Sequence, residues 1–395
     1  MKEGWEYKTF KDQFSINMGK TPPRGDSSSW DKSKITTNKW VSIADISLNE
    51  GKIIFDTKEY ISDKAAEKIK KVKAGSLLMS FKLTIGKMAF AGDDLFTNEA
   101  IIAIPQNEDY DLHFLYYYLL QYDWRTLTEG NEKVKGATLN KQSIGKILLP
   151  IIPIDEQRRI VSYLDSSFKL IDEIKNKALK SLTEAKALFQ SALAEAMEPK
   201  EGWEEKTLGE ICFIARGGSP RPIKNFLTED ESGIPWIKIG DTEIGGKFIN
   251  CTKEKIKKEG IKSSRFVRKG DFLLSNSMSF GRPYILKTDG CIHDGWLVLQ
   301  NFKDTFIDDF LYYLLSCNYV QKQFDEYAYG STVRNLKTDS VSRVSVNYPP
   351  LPTQKLIVSH LDKLSSKVRA IEEKYQKMVE ECDALKQAML RDVFE

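Results

Sequence analysis

Long apolar runs are missing from this chain. Its longest, such as residues 114–120, fall far short of the roughly 20 residues a membrane helix needs, and the charged opening MKEGWEYK has no signal-peptide core. The expected address is the cytoplasm. Cysteine is scarce: Cys212, Cys251, Cys291, Cys317 and Cys382 are odd in number and never spaced CxxC, which argues against a disulfide framework or a zinc site and suggests small buried hydrophobes. The three histidines, His113, His293 and His360, fall in separate contexts, so metal or triad chemistry lacks its parts. An excess of one charge is missing too. Against 59 Lys and Arg stand 56 Asp and Glu, and the slight surplus lies in residues 1–150 and 200–350 rather than in a tail. That is weak support for an anionic partner. With 41% hydrophobic and 29% charged residues, disorder and coiled coil are excluded as whole-chain descriptions, and 395 residues allow two to four domains.

What is present is written twice. EGWEYKT at 3–9 returns as EGWEEKT at 201–207. Trp40, Ile43 and Asp45 match Trp236, Ile239 and Asp241, and Phe114, Tyr116 and Tyr117 match Phe310, Tyr312 and Tyr313. Gly136-Ala137-Thr138 pairs with Gly330-Ser331-Thr332, and Gln157 with the Ile160, Leu164 and Asp165 that follow returns as Gln354, Ile357, Leu361 and Asp362. A period of about 195 to 198 residues is too long for a solenoid and fits a duplicated domain with a connector.

Glycine, proline and tryptophan are all absent from residues 154–198 and again from 353–395, and such stretches predict long helices. Steps of four and three carry Ile357, Leu361, Leu364, Val368, Ile371, Tyr375, Met378, Cys382, Leu385 and Met389 along one seam. The first stretch repeats this through Ile160, Leu164, Ile171, Ile174, Leu182 and Phe189, with one slip near Leu182. The remainder, residues 1–152 and 199–352, reads as two mixed α/β globules, with strands at 52–55, 76–79 and 100–104 and core helices at 112–124 and 309–324. The expected fold class is α+β: homologous globules at 1–152 and 199–352, joined by long helices at 153–198 and 353–395. Pairing the seams makes the helices an antiparallel coiled coil, with the globules at opposite ends and intrachain pseudo-two-fold symmetry.

Most catalytic motifs fail. Gly19-Lys20-Thr21 resembles the end of a P-loop, but Phe14 stands where its first glycine should be and Pro22 and Pro23 obstruct the helix. Asn347-Tyr348-Pro349-Pro350 is a scrambled form of an amino-methyltransferase tetrad, better read as a strand leading into a helix. What survives is a set of glycine-punctuated loops at matched positions. Lys20, Thr21 and Arg24 face Arg216, Ser219 and Arg221; Lys82, Thr84 and Lys87 face Asn276, Ser277 and Arg282; Thr138 and Asn140 face Thr332 and Arg334. Cations beside exposed backbone amides suit phosphates and base edges. Because Arg can grip guanine and Asn adenine, loops that differ on a common frame would prefer different sequences. These sixteen residues are the candidate DNA contacts.

On these residues the chain resembles the specificity subunit of type I restriction-modification systems over essentially its full length. The globule, helix, globule, helix order carries the likeness, with Gly217-Gly218-Ser219-Pro220, Gly330-Ser331-Thr332, and the segments Ile154-Asp155-Glu156-Gln157 and Leu351-Pro352-Thr353-Gln354 that open the helices. The resemblance implies two target recognition domains, each reading half of an asymmetric bipartite double-stranded DNA site, with a spacer set by the helices. It implies two modification subunits using S-adenosylmethionine, restriction subunits using ATP and magnesium, and no cofactor or catalysis in this chain. Two rivals are a noncatalytic coiled-coil scaffold for two protein-binding domains, and a nuclease, which would need a carboxylate cluster that the sequence does not display.

Overall fold

The computed structural model describes residues 2–127, 135–243, 245–277, 280–328 and 335–395, with the side chains of 135–138 excepted. Its contacts divide the chain into two units, Met1–Lys177 with Met378–Glu395, and Ala178–Lys377. The fold class is α+β.

In the first unit a five-stranded sheet runs in the order Asn17–Met18, Ile101–Ile104, Leu77–Ser80, Met88–Ala91, Ile53–Ile54. All its pairs are antiparallel except the last. The central strands are buried on both faces, which is why they read as unbroken apolar runs. Alternation still sorts them: Leu77, Met79, Phe90, Ile102 and Ile104 enter one core cluster, while Leu78, Ala89, Ala91, Ile101 and Ala103 enter another. The helix Leu112–Leu120 covers the first face, its N-terminus capped by Asp111, which accepts from the His113 N–H at 2.8 Å.

The second unit repeats this order with Phe213–Arg216, Trp296–Gln300, Phe272–Ser275, Pro283–Leu286 and Phe248–Ile249. The duplication seen in the sequence is therefore a duplication of topology. One expected element differs. In place of a single helix over 309–324 there are two, Asp308–Ser316 and Asn318–Tyr327. Cys317 between them is extended, and its thiol sits 2.9 Å from the Leu314 carbonyl oxygen. The bend returns Val320 and Phe324 to the core that Phe310 and Leu314 already fill. The first helix likewise stops at Leu120, short of Trp124.

The two long helices span Ile154–Ala196 and Leu351–Phe394. Each starts from a fully buried glutamine. Gln157 Nε2 donates to the carbonyls of Asp109 (2.7 Å) and Ile152 (3.0 Å), and its Oε1 accepts from the Asp111 N–H at 2.9 Å. Gln354 repeats the pattern with Thr305 (2.7 Å), Pro349 (2.9 Å) and the Ile307 N–H (3.1 Å). Each globule core also takes a helix end: Leu390, Val393 and Phe394 in the first unit, Leu193 and Met197 in the second.

Within the first unit the helical segments run antiparallel, since Lys175 pairs with Asp383 at 2.6 Å and Lys386 with Asp172 at 2.5 Å. The buried seam is narrower than the heptad predicts. Leu164, Ile171, Leu361 and Val368 are buried, Ile160, Leu182, Phe189, Ile357, Leu364 and Met378 are half-buried, and Ile174, Ile371 and Leu385 are exposed. Burial recurs every seven residues, at Leu164, Ile171, Ala178 and Ala185, so one heptad position faces inward and the other lies at the margin. Four cysteines are buried and Cys251 is exposed. Among the described residues no helix is long and apolar enough to cross a membrane.

Candidate nucleic-acid interface

In both globules the glycine-rich loop leaves the first sheet strand and is sewn to the turn before the strand's neighbour. Gly19 N–H donates to the Ile101 carbonyl and Lys20 N–H to Thr97; Gly217 N–H donates to Trp296 and Gly218 N–H to Ile292. The approach requires glycine. A Cβ on Gly19 would lie 2.0 Å from the Thr97 carbonyl oxygen, and one on Gly217 would lie 2.1 Å from that of His293.

The next residue closes a clasp. Thr21 donates its hydroxyl hydrogen to Glu99, and Ser219 donates to Asp294 Oδ1 at 2.8 Å. Glu99 and Asp294 occupy matched positions, because Ile101 and Trp296 pair with Ser80 and Ser275. Burial would raise the Glu99 pKa, but the Thr21 hydroxyl, a backbone N–H and the positive charge of Lys82 together hold it below its ordinary value. Asp294 is held low chiefly by Ser219, against a smaller opposing effect of burial.

Beyond the clasp the globules diverge. In the first, Arg24 lies 4.2 Å from the Trp30 ring and 4.9 Å from Trp40, and pairs with Glu59. Lys87 pairs with Glu50. Lys20 is exposed, and its carbonyl accepts from the Trp40 indole N–H at 3.1 Å. Lys82 lies over Phe81 at 5.5 Å, and the Thr84 hydroxyl oxygen is buried with no hydrogen-bond partner among the described residues. Asn140 caps the helix Lys141–Gly145, accepting from the Ser143 N–H at 2.8 Å.

In the second globule the candidates converge on one turn. Arg216 Nε donates to the Asp294 carbonyl at 3.0 Å, Asn276 Nδ2 donates to the same carbonyl at 2.8 Å, and an Arg221 terminal nitrogen lies 3.4 Å from Asp294 Oδ2. Arg265 joins them, its Nε donating to the Arg216 carbonyl at 2.8 Å. Asn276 is buried and Arg221 exposed. Beside Arg221 opens a cavity of about 1000 Å³ with Leu227 and Trp236 in its wall and Lys224 and Lys238 among its cations. In the first globule Trp30 stands where Leu227 does, since Trp30 bridges Ile61 as Leu227 pairs with Ile256.

The loop Ser80–Lys87 and its counterpart share one frame. Ser80 N–H donates to the Lys87 carbonyl and Ser275 N–H to Arg282, while Gly86 and Gly281 N–H groups return to Ser80 and Ser275. Both glycines have positive φ, 82° and 78°. Arg282 is exposed, and Ser277 forms a bridge with Asn335. Thr332, Arg334 and the side chain of Thr138 lie outside the described residues. The frame does revise one alignment. Leu139 N–H donates to Phe81 and Leu336 N–H to Asn276, so Thr138 is matched by Asn335 and not by Thr332.

Sequence reasoning missed Asp294, Glu99, Arg265 and His293. An acid at matched positions in the two halves was the available signal for Glu99 and Asp294. His293 is largely buried, with Nε2 3.1 Å from the Ile239 N–H and Nδ1 2.6 Å from the Gly295 N–H, and burial pushes its pKa down. Among the described residues no cluster of His, Cys, Asp or Glu could hold a metal ion.

One frame carrying two differently furnished surfaces defines a duplicated recognition protein. The family model of the type I restriction modification DNA specificity domain matches twice, over residues 2–184 and 200–381. The chain belongs to that family. It is 26% identical over 283 residues to a putative type I restriction enzyme specificity subunit of Haemophilus influenzae, covering 70% of each chain. It is 24% identical to the MjaVIII specificity subunit of Methanocaldococcus jannaschii, covering 84% of this chain and 83% of that one. Among solved structures it is similar to a chain from work on complex assembly and conformational transition of the type I R-M system, with a TM-score of 0.80, 21% identity, and coverage of 100% and 98%. The HsdS subunit from Thermoanaerobacter tengcongensis is similar with a TM-score of 0.56 and 20% identity, covering 100% of this chain and 97% of that one.

Proposed function

We propose that this chain is the DNA-reading subunit of a type I restriction-modification complex, a noncatalytic component in which each globule reads one half of an asymmetric bipartite site. The observation that carries the reading is the shared loop frame with unlike occupants: Arg24 stacked against tryptophans in one globule, Arg216 and Arg221 gathered at Asp294 in the other. Identical frames give each globule the same way of docking, and different side chains give each a different word. The long helices set the spacer between the words and carry two modification subunits. Apolar side chains left exposed on them, among them Leu170, Leu188 and Leu356, suit such partners. S-adenosylmethionine belongs to those modification subunits, and ATP with magnesium to restriction subunits. Near-neutral charge fits a reader embedded in a larger clamp that neutralises phosphate elsewhere. Its place is the cytoplasm, with the DNA.

The test is to map methylated adenines genome-wide in cells with and without the gene for this chain. The expected result is one asymmetric two-part motif, methylated only when the chain is present. An identical methylation pattern in both strains overturns the reading and favours the scaffold.

A further inference from the structure

Asp294 joins side chains from two separate stretches of the second globule, residues 216–221 and Asn276. Its carboxylate takes Ser219 on one oxygen and faces Arg221 across 3.4 Å from the other. Its carbonyl takes Arg216 and Asn276. Two guanidinium groups, those of Arg216 and Arg221, are thus tied to the turn that carries the clasp carboxylate, and Arg265 lies next to them through the Arg216 carbonyl.

We propose that Asp294 is the positioning residue for base reading by the second globule, with Ser219 as its strut. The inference rests on the DNA-reading function proposed above. An arginine free to swing on a surface finds phosphate oxygens, which hold the protein on DNA but carry no sequence information. Reading guanine requires a guanidinium fork held at a set angle to the base edge. The Arg221 contact is long, engages one terminal nitrogen, and leaves the side chain 82% exposed, so the carboxylate orients this cation while most of its donors stay available. Asn276 completes the support. Its amide is buried, its Nδ2 is spent on the Asp294 carbonyl, and its Oδ1 has no partner among the described residues. A buried acceptor left unpaired is a cost that a merely packed turn would avoid.

The device belongs to the second globule alone. The strand register puts Met18 where Arg216 stands and Phe81 where Asn276 stands. Among the described residues, the part of the device common to both globules is the hydroxyl–carboxylate clasp, Thr21 with Glu99 and Ser219 with Asp294.

The test uses the full chain expressed with its modification subunits in a host free of adenine methylation, reading both words of the methylated motif. Asp294→Asn keeps the size of the side chain and a partner for Ser219 while removing the charge. The expected result is loss of discrimination at the second word, on the order of tenfold or more per misread base, with the first word unchanged. Retention on an unrelated duplex should rise, and its salt dependence should steepen by about one unit of log slope, as a released arginine takes a phosphate. Glu99→Gln should leave the second word intact. Should Asp294→Asn not fold, Ser219→Ala removes only the strut and carries the same expectation at smaller size. A second word read as strictly as in the unaltered chain overturns the proposal, and so does equal loosening of both words. A wild-type arm without any bipartite motif fails before the variants are compared, and overturns the parent function together with this inference.

Discussion

Gln354 accepts the backbone N–H of Ile307 at 3.1 Å while its amide nitrogen donates to the carbonyls of Thr305 and Pro349. One buried side chain thus satisfies three backbone groups where the second long helix leaves its globule. Gln354→Leu fills the same space and strands all three. At about 1 to 3 kcal/mol for each buried group left unpaired, offset by partial relaxation, the expected loss is about 2 to 4 kcal/mol. The urea midpoint of the full chain measures it, and a loss below about 1 kcal/mol would mean that water replaces the amide. Gln157→Leu should cost a similar amount in the first unit.

A second junction should matter less. Tyr313 donates to Asp362 at 2.6 Å, as Tyr117 does to Asp165, and burial followed by the neighbouring carboxylate pushes both phenol pKa values up. Lys247 lies 3.5 Å from Asp362 and remains when the phenol is removed. Tyr313→Phe is therefore expected to cost only about 1 kcal/mol, read from the same denaturation curves.

Arg24 and Arg221 look equivalent in the loops of the sequence and should behave oppositely. Arg24 is committed to two indoles and Glu59, so Arg24→Ala should destabilise the chain by about 1 kcal/mol. Arg221→Ala should leave the urea midpoint within about 0.5 kcal/mol and weaken recognition of the second word alone. Equal weakening of both words by Arg221→Ala would sink the assignment.

These contrasts mark where legibility in the sequence ends. The duplication, the long helices and the strands at 77–80 and 101–104 were readable because repeats, glycine-free stretches and apolar runs are local signals. The break at Cys317 was not, because the helical pattern continues across it and only the shared core demands the bend. The heptad overstated the seam, since a seven-residue pattern does not say which of its two apolar positions faces inward. Site loops were legible as loops, but their pairings were not. Glu59 reaches Arg24, and Asp294 reaches Arg216, across distances in sequence that no spacing rule covers.

His293 gives the second globule a pH response of predictable sign. Burial first, and then the charge of Lys238, lower its pKa against the opposing pull of Asp294 and Asp241. Its two ring nitrogens face backbone N–H groups, of Ile239 and Gly295. A neutral ring can accept from one of them, and a protonated ring from neither. Because the folded pKa lies below the unfolded value near 6.5, the unfolded chain takes up a proton there that the folded chain refuses. Stability from this group is therefore complete above about pH 6.5, declines as the pH falls below it, and levels off under the folded pKa. Asp294 is held below the ordinary carboxylate value, chiefly by Ser219, so it does not add to the change between pH 7.5 and 5.0. Melting temperatures between pH 7.5 and 5.0 should fall for the unaltered chain, and the fall should be smaller for His293→Gln. Parallel curves for the two proteins would show that the imidazole is already free to protonate in the fold.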